Sequence, residues 1–229
     1  GVFSQAVRDE VKRTDDWIGQ LMETVERNGD LDVTNFVLTS DHGQLNIVRT
    51  VNLNVFLADA GLITVGPEGE FLDWQAYCLS GGLSGLVYLK DPADQVLYEK
   101  VYCLLNHMRD EGIYGISQVF TREEFRKLHL DGEFSFVIEA DGYTSFGDRW
   151  TRPVVLDRNN NDDYRYGRAT HGHLPEKGPQ PVFVAKGPAF RDGVVLPAGR
   201  LVDEGPTFAA VLGLEIPGAD GHPVRELLK

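Results

Sequence analysis

Apolar residues recur at three- and four-residue steps through the opening of the chain: Phe3, Val7, Val11, Ile18, Leu21 and Val25, with Arg8, Asp9, Lys12, Arg13 and Asp16 between them. That period predicts an amphipathic helix. Asn28-Gly29 supplies its stop, a pair suited to the left-handed conformation of a C-terminal cap. The pattern then changes. Phe36-Val37-Leu38 is a short unbroken apolar run leading into Thr39-Ser40-Asp41-His42-Gly43, which predicts a buried strand that enters a functional loop. Helix followed by buried strand predicts an α/β fold with a mostly parallel central sheet.

The middle of the chain has a different texture. Leu86-Val87-Tyr88-Leu89, Ile116 to Phe120 and Phe134 to Ala140 predict strands, and Val96, Val101, Leu104, Leu105 and Met108 mark a helix after Pro92. Thr121-Arg122-Glu123-Glu124 has the form of a capping box, which accounts for both acids as first-turn residues. These elements predict a small β/α cap inserted at 52–149 between two parts of a main domain, 1–51 and 150–229. Asn159-Asn160-Asn161-Asp162-Asp163 predicts a surface loop. Pro181-Val182-Phe183-Val184-Ala185 predicts a second buried strand, closed by the Gly187-Pro188 turn, and Pro206 to Leu212, stopped by Gly213, predicts a short helix.

Composition narrows the function classes. With 229 residues, 42% of them hydrophobic, the chain can bury a core as one domain carrying an insertion. Its 22 basic and 35 acidic residues give a formal charge of -13, so the field repels polyanions and offers no footprint for nucleic acid or an anionic membrane. No apolar run approaches the roughly 20 residues that span a bilayer. Cys78 and Cys103, without C-x-x-C spacing, read as reduced thiols and not as a disulfide framework. The chain opens at Gly1, so the native N-terminus and any targeting signal are expected upstream, and the compartment is not readable.

No Gly-x-Ser-x-Gly elbow, Walker loop or Rossmann glycine fingerprint occurs. The residues that suit chemistry are Asp41 and His42, at the carboxyl end of a predicted strand, where ligand sites form in α/β sheets. A carboxylate and a neutral imidazole are a common basis for zinc coordination. Both can reach one metal only if the strand has ended there and the chain has begun to turn, which Gly43 permits. His171, in Ala169-Thr170-His171-Gly172-His173, is the other candidate. By themselves these residues leave two readings open, metal ligands or a loop cap and a surface histidine. His173 is not assigned to a metal, and His107, His129 and His222 have no supporting context. Tyr143, Phe146, Trp150 and Tyr164 are read as packing aromatics.

Three segments in order carry a resemblance: Val37-Leu38-Thr39-Ser40-Asp41-His42-Gly43, Ala169-Thr170-His171-Gly172, and Pro181-Val182-Phe183-Val184-Ala185-Lys186-Gly187-Pro188-Ala189-Phe190. Together they resemble the alkaline phosphatase superfamily, in particular its type I phosphodiesterase/nucleotide pyrophosphatase branch. Pro206 to Leu214 and Gly221-His222-Pro223-Val224 resemble that family's terminal helix and tail. The resemblance implies part of an alkaline-phosphatase-like sandwich in which Asp41 and His42 bind one zinc ion and His171 a second, with manganese as the other metal such sites accept. It further implies in-line attack on a phosphate ester by a Ser or Thr hydroxyl. No match to the family's nucleophile segment is present, so the chain is expected to be the C-terminal portion of the enzyme, inactive without the missing N-terminal half, its partner. The expected substrate is a small-molecule phosphate ester. A related phosphomutase, a sulfatase-like enzyme and a truncated, non-catalytic binding module are the alternatives.

Overall fold

The computed structural model describes residues 1–158 and 167–229. The polar run from Asn159 to Asp163 lies outside the described residues, as does Tyr164. In chain order the elements begin with helix α1 (Gln5–Arg27) and strands β1 (Phe36–Thr39), β2 (Leu45–Asn46) and β3 (Arg49–Asn52). Helix α2 (Leu53–Asp59) precedes strands β4 (Ile63–Val65), β5 (Phe71–Trp74), β6 (Ala76–Ser80) and β7 (Ser84–Leu89). Helix α3 (Gln95–Glu111), strand β8 (Ile116–Thr121), helix α4 (Arg122–Lys127), and strands β9 (Phe136–Ala140), β10 (Thr144–Gly147), β11 (Val155–Asp157) and β12 (Ala169–Thr170) follow. Strand β13 (Phe183–Lys186) and helix α5 (Glu204–Val211) complete the set. The contacts divide the chain into two compact units, Gly1–Ser4 with Gly43–Pro179, and Gln5–His42 with Gln180–Lys229.

In the second of these, α1 stops where its sequence requires. The Gly29 N–H reaches the Glu26 carbonyl and the Asp30 N–H reaches Val25, with Gly29 at φ 82°, the paired bonds of a left-handed helix cap. No residue of α1 is buried, although its apolar stripe is well formed. Strands β1 and β13 pair antiparallel, Val37 opposite Ala185 and Leu38 opposite Val184. Here burial departs from the sequence pattern. Leu38 is 45% and Val184 59% exposed, where an unbroken apolar run predicts strands covered on both faces. Phe208 of α5 stacks on Phe183, so one face of the ribbon is partly covered, while Leu38 and Val184 stand paired on the other. Helix α5 is better embedded. Buried Thr207 donates to the Asp203 carbonyl and accepts from the Val224 N–H, which pins the tail against the helix.

The first unit holds the main core. A four-stranded antiparallel sheet, in the order β6-β7-β9-β8, has every residue of β9 buried. Alternation splits them. Phe136 and Ile138 join Val101 and Leu105 of α3 in the main cluster, while Val137 joins Phe125 of α4 and Phe134 on the other face. Phe136 and Phe125 are fully buried, each contributing roughly 1.5–3 kcal/mol of apolar burial. Asp94 caps α3 by accepting from the Val96 and Leu97 N–H groups. The inward face of α3 is Leu97, Val101, Leu105 and Met108, so Leu97 takes the place that the sequence pattern assigned to Val96, which points outward. The capping box is present, with the Glu124 carboxylate accepting from the Thr121 N–H at 2.8 Å. A separate three-stranded sheet centres on β3, parallel to β10 and antiparallel to β11. That is the one parallel pair among the described residues. The fold is mixed α/β, and its described ladders are otherwise antiparallel. No helix among the described residues is long and apolar enough to cross a membrane.

Candidate metal centre

Strand β1 ends at Thr39 and the backbone bends at Asp41, the turn that lets two consecutive side chains face the same way. The strand end is braced from α5. Thr39 Oγ1 lies 2.8 and 2.9 Å from the two carboxylate oxygens of Glu204. The Ser40 hydroxyl donates to the His42 carbonyl at 2.8 Å, and the His42 N–H donates to Asp41 Oδ1 at 3.0 Å. Asp41 Oδ2 is then 3.4 Å from His42 Nε2. Two ligands held about 2.0–2.1 Å from a tetrahedral zinc are about 3.3–3.4 Å apart, so the separation of this oxygen and nitrogen suits one shared metal. The Asp41 carboxylate is largely exposed.

Gly43 fills its position for a reason other than the turn. It is absent from the positive-φ glycines, and a Cβ there would collide with the carbonyl of Pro179. Close backbone approach excludes larger residues at this point.

His171 belongs to the other compact unit and is exposed. It follows β12, which pairs antiparallel with β2 through Ala169 opposite Asn46 and Thr170 opposite Leu45. Gly172, at φ 92°, turns the chain immediately after it, and a Cβ there would strike the carbonyl of Gly81. Asp41 and His42 are thus brought together. No group of three or more His, Cys, Asp or Glu side chains among the described residues is gathered to hold a metal. Of the remaining histidines, His107 is exposed on α3 beside Glu111, 3.3 Å away, as a surface residue should be. Phe146 is buried in the core and the Trp150 indole N–H donates to the Gly69 carbonyl, so both serve packing.

Two supporting residues escaped the sequence reading. Glu204 was hidden because nothing in its neighbourhood distinguishes it from an ordinary first-turn acid. Glu139 left a visible signal: it is the single acid inside the apolar strand Phe136-Val137-Ile138-Glu139-Ala140, and it is buried.

The family model for type I phosphodiesterase / nucleotide pyrophosphatase matches residues 1–172. The chain is 25% identical over 224 residues to the rat ectonucleotide pyrophosphatase/phosphodiesterase family member 7, covering 97% of this chain and 46% of the relative. The mouse protein of the same name is 25% identical over 232 residues, covering 100% of this chain and 48% of the relative. The solved human ectonucleotide pyrophosphatase / phosphodiesterase 5 superposes with a TM-score of 0.73 at 19% identity, over 100% of this chain and 54% of that one. An inactive form of the murine counterpart, solved in complex with AMP, gives 0.69 at 19% identity, over 99% and 54%. The chain belongs to the type I phosphodiesterase / nucleotide pyrophosphatase family, a branch of the alkaline phosphatase superfamily. It spans about half the length of the relatives it matches.

Proposed function

We propose that this chain is the C-terminal portion of a zinc-dependent phosphodiesterase or nucleotide pyrophosphatase, in which Asp41 and His42 hold one metal ion and His171 a second. The observation that carries the reading is the 3.4 Å separation of Asp41 Oδ2 and His42 Nε2 at the exit of a strand, in a chain of this family. When bound, a pair of zinc ions supplies charge neutralisation for the phosphate oxygens and lowers the pKa of an attacking hydroxyl; manganese is the alternative metal. Within this chain, Asp41 contributes the negative charge that a divalent ion requires, and His42 and His171 contribute neutral nitrogen donors. Glu204 and Thr39 keep the end of β1 in register, so the two ligands leave the strand at a defined point.

The Ser or Thr nucleophile is supplied by a segment outside these 229 residues, from the N-terminal half of the enzyme. That half also covers the apolar stripe of α1 and the open face of β1 and β13, which accounts for their exposure. Residues 52–149 form the inserted cap, built around β6 to β9 with α3 and α4, and 1–51 and 150–229 form the hydrolase core. The AMP held by the murine structural neighbour makes nucleotide esters the first substrate class to test.

The test compares the full-length protein with the 229-residue chain for zinc content and for hydrolysis of nucleotide diesters, a synthetic aryl diester and an aryl monoester. The full-length protein should hold two zinc ions and turn over diesters. Asp41→Asn, His42→Ala and His171→Ala should each lower zinc content and activity at least tenfold, and the short chain should be inactive. Equal turnover by the short chain, or wild-type zinc content in all three variants, overturns the reading.

A further inference from the structure

Glu139 is the least expected residue of the central sheet. It sits in the middle of an apolar strand with 4% of its side chain exposed, and its burial pushes the carboxyl pKa upward, opposed by the Leu174 N–H and by Lys177. For stability alone an apolar residue would serve better, because burying a charge costs more than a loosely matched partner returns. What the carboxylate holds is the segment just beyond His171. Glu139 Oε1 accepts from the backbone N–H of Leu174 at 2.9 Å, three residues after His171. Leu174 is also the residue that starts the short 3₁₀ turn Pro175–Lys177.

The same turn sends its last side chain back into the sheet. Lys177 Nζ lies 3.4 Å from Glu139 Oε1 and donates to Ser117 Oγ at 2.8 Å and to the Ala140 carbonyl at 3.0 Å. Two points of the turn, the Leu174 amide and the Lys177 ammonium, are therefore tied to neighbouring positions on β9 and β8. On its other side His171 is tied by its own carbonyl to Leu83 and by Thr170 to Leu45. The histidine stands on a short span fixed at both ends.

We propose that Glu139 and Lys177 are positioning residues for His171, a strut that sets where its imidazole is presented to the second metal ion. The inference rests on the reading of His171 as a metal ligand. It adds a role for two residues that touch neither metal nor substrate, acting through the backbone of Leu174 to Lys177. Outer residues that orient a ligand typically change metal affinity 10–100-fold, and the indirect route here argues for the lower end.

The experiment uses the full-length, zinc-loaded protein and measures zinc stoichiometry, zinc affinity by chelator competition, and the visible spectrum after cobalt substitution. His171→Ala identifies which of the two ions depends on the histidine. Glu139→Ala should weaken that same ion about tenfold and leave the other unchanged. Glu139→Gln should restore most of the affinity, since its amide oxygen still accepts from the Leu174 N–H, and Lys177→Met should fall between. If Glu139→Ala fails to fold, Glu139→Gln and Lys177→Met carry the comparison, with a loss confined to the His171-dependent ion as the expected result. Wild-type affinity at both sites in folded variants, or an equal loss at both accompanied by lowered thermal stability, overturns the strut. Full zinc content in His171→Ala would instead remove the reading on which it stands, so the two failures are told apart.

Discussion

The carbonyl oxygen of His171 accepts a hydrogen bond from the backbone N–H of Leu83 at 2.8 Å. Leu83 closes the turn between β6 and β7, so the candidate ligand is registered against the tip of a hairpin whose strands form the main core. Proteins often carry functional side chains on loops fixed in this way by a rigid scaffold.

Gly82→Ala should disturb this joint. Gly82 has φ 84°, and a Cβ there would lie 2.5 Å from the His171 carbonyl and 2.8 Å from Thr170 Oγ1. The left-handed backbone alone costs an alanine about 1–2 kcal/mol, and the contact adds to it. A lowered unfolding midpoint together with weaker zinc binding is expected, and a midpoint equal to wild type would contradict the contact.

Asn54 is fully buried and joins α2 to β6. Its Nδ2 donates to the Cys78 carbonyl at 2.8 Å and to the Asp148 carbonyl at 3.1 Å, and its Oδ1 accepts from the Cys78 N–H at 2.7 Å. Asn54→Ala leaves those groups without their side-chain partner, at about 1–3 kcal/mol for each group unsatisfied. Denaturant unfolding should show a loss of about 3 kcal/mol or more, from three such groups. A loss under about 0.5 kcal/mol, the range of surface substitutions, would mean that water replaces the side chain.

The two thiols should react at very different rates. Cys78 is buried in the main core and its burial raises the thiol pKa well above the ordinary range, whereas Cys103 is exposed on α3. The thiolate is the reactive form, so a thiol-specific reagent should modify one cysteine per native chain and the second only on unfolding. Two equally fast thiols in the native protein would show the core around Cys78 to be open.

Glu139 predicts a pH dependence with a definite sign. Its folded pKa is raised by burial, with Glu176 adding to the shift and the Leu174 N–H and Lys177 opposing it. The folded state therefore holds its proton more tightly than the unfolded state. Stability from this group is full below the ordinary glutamate pKa and declines as pH rises through the folded value. The difference in unfolding midpoint between wild type and Glu139→Gln should change across that interval, with wild type losing ground as pH rises. A difference independent of pH between acid and neutral conditions would rule out the raised carboxyl.

Local order was largely legible from residue order, and for a physical reason. Helix α1 and its cap, helix α3, the capping box of α4, and the short helix α5 all follow from periodicity and from residues whose backbone preferences act over a few positions. The bend after Thr39 could likewise be anticipated, because two adjacent ligands on a straight strand would face apart. Burial was legible only as an expectation. Val37, Leu38 and Val184 are apolar as in covered strands, yet stand exposed among these residues, since covering a face depends on chain segments distant in sequence.

Sequence alone determined the family motifs, the residue types Asp41, His42 and His171, and the positions of the main helices, because each is encoded within a short stretch of chain. Tertiary structure decided that β1 pairs antiparallel with β13, that Gly43 answers to Pro179, and that Glu139 and Lys177 grip the turn beyond His171. Those outcomes arise from groups 35 or more positions apart, Glu139 and Leu174 among them. Such pairings are chosen by packing and hydrogen-bond satisfaction in the folded chain, not by any preference of the residues where they stand.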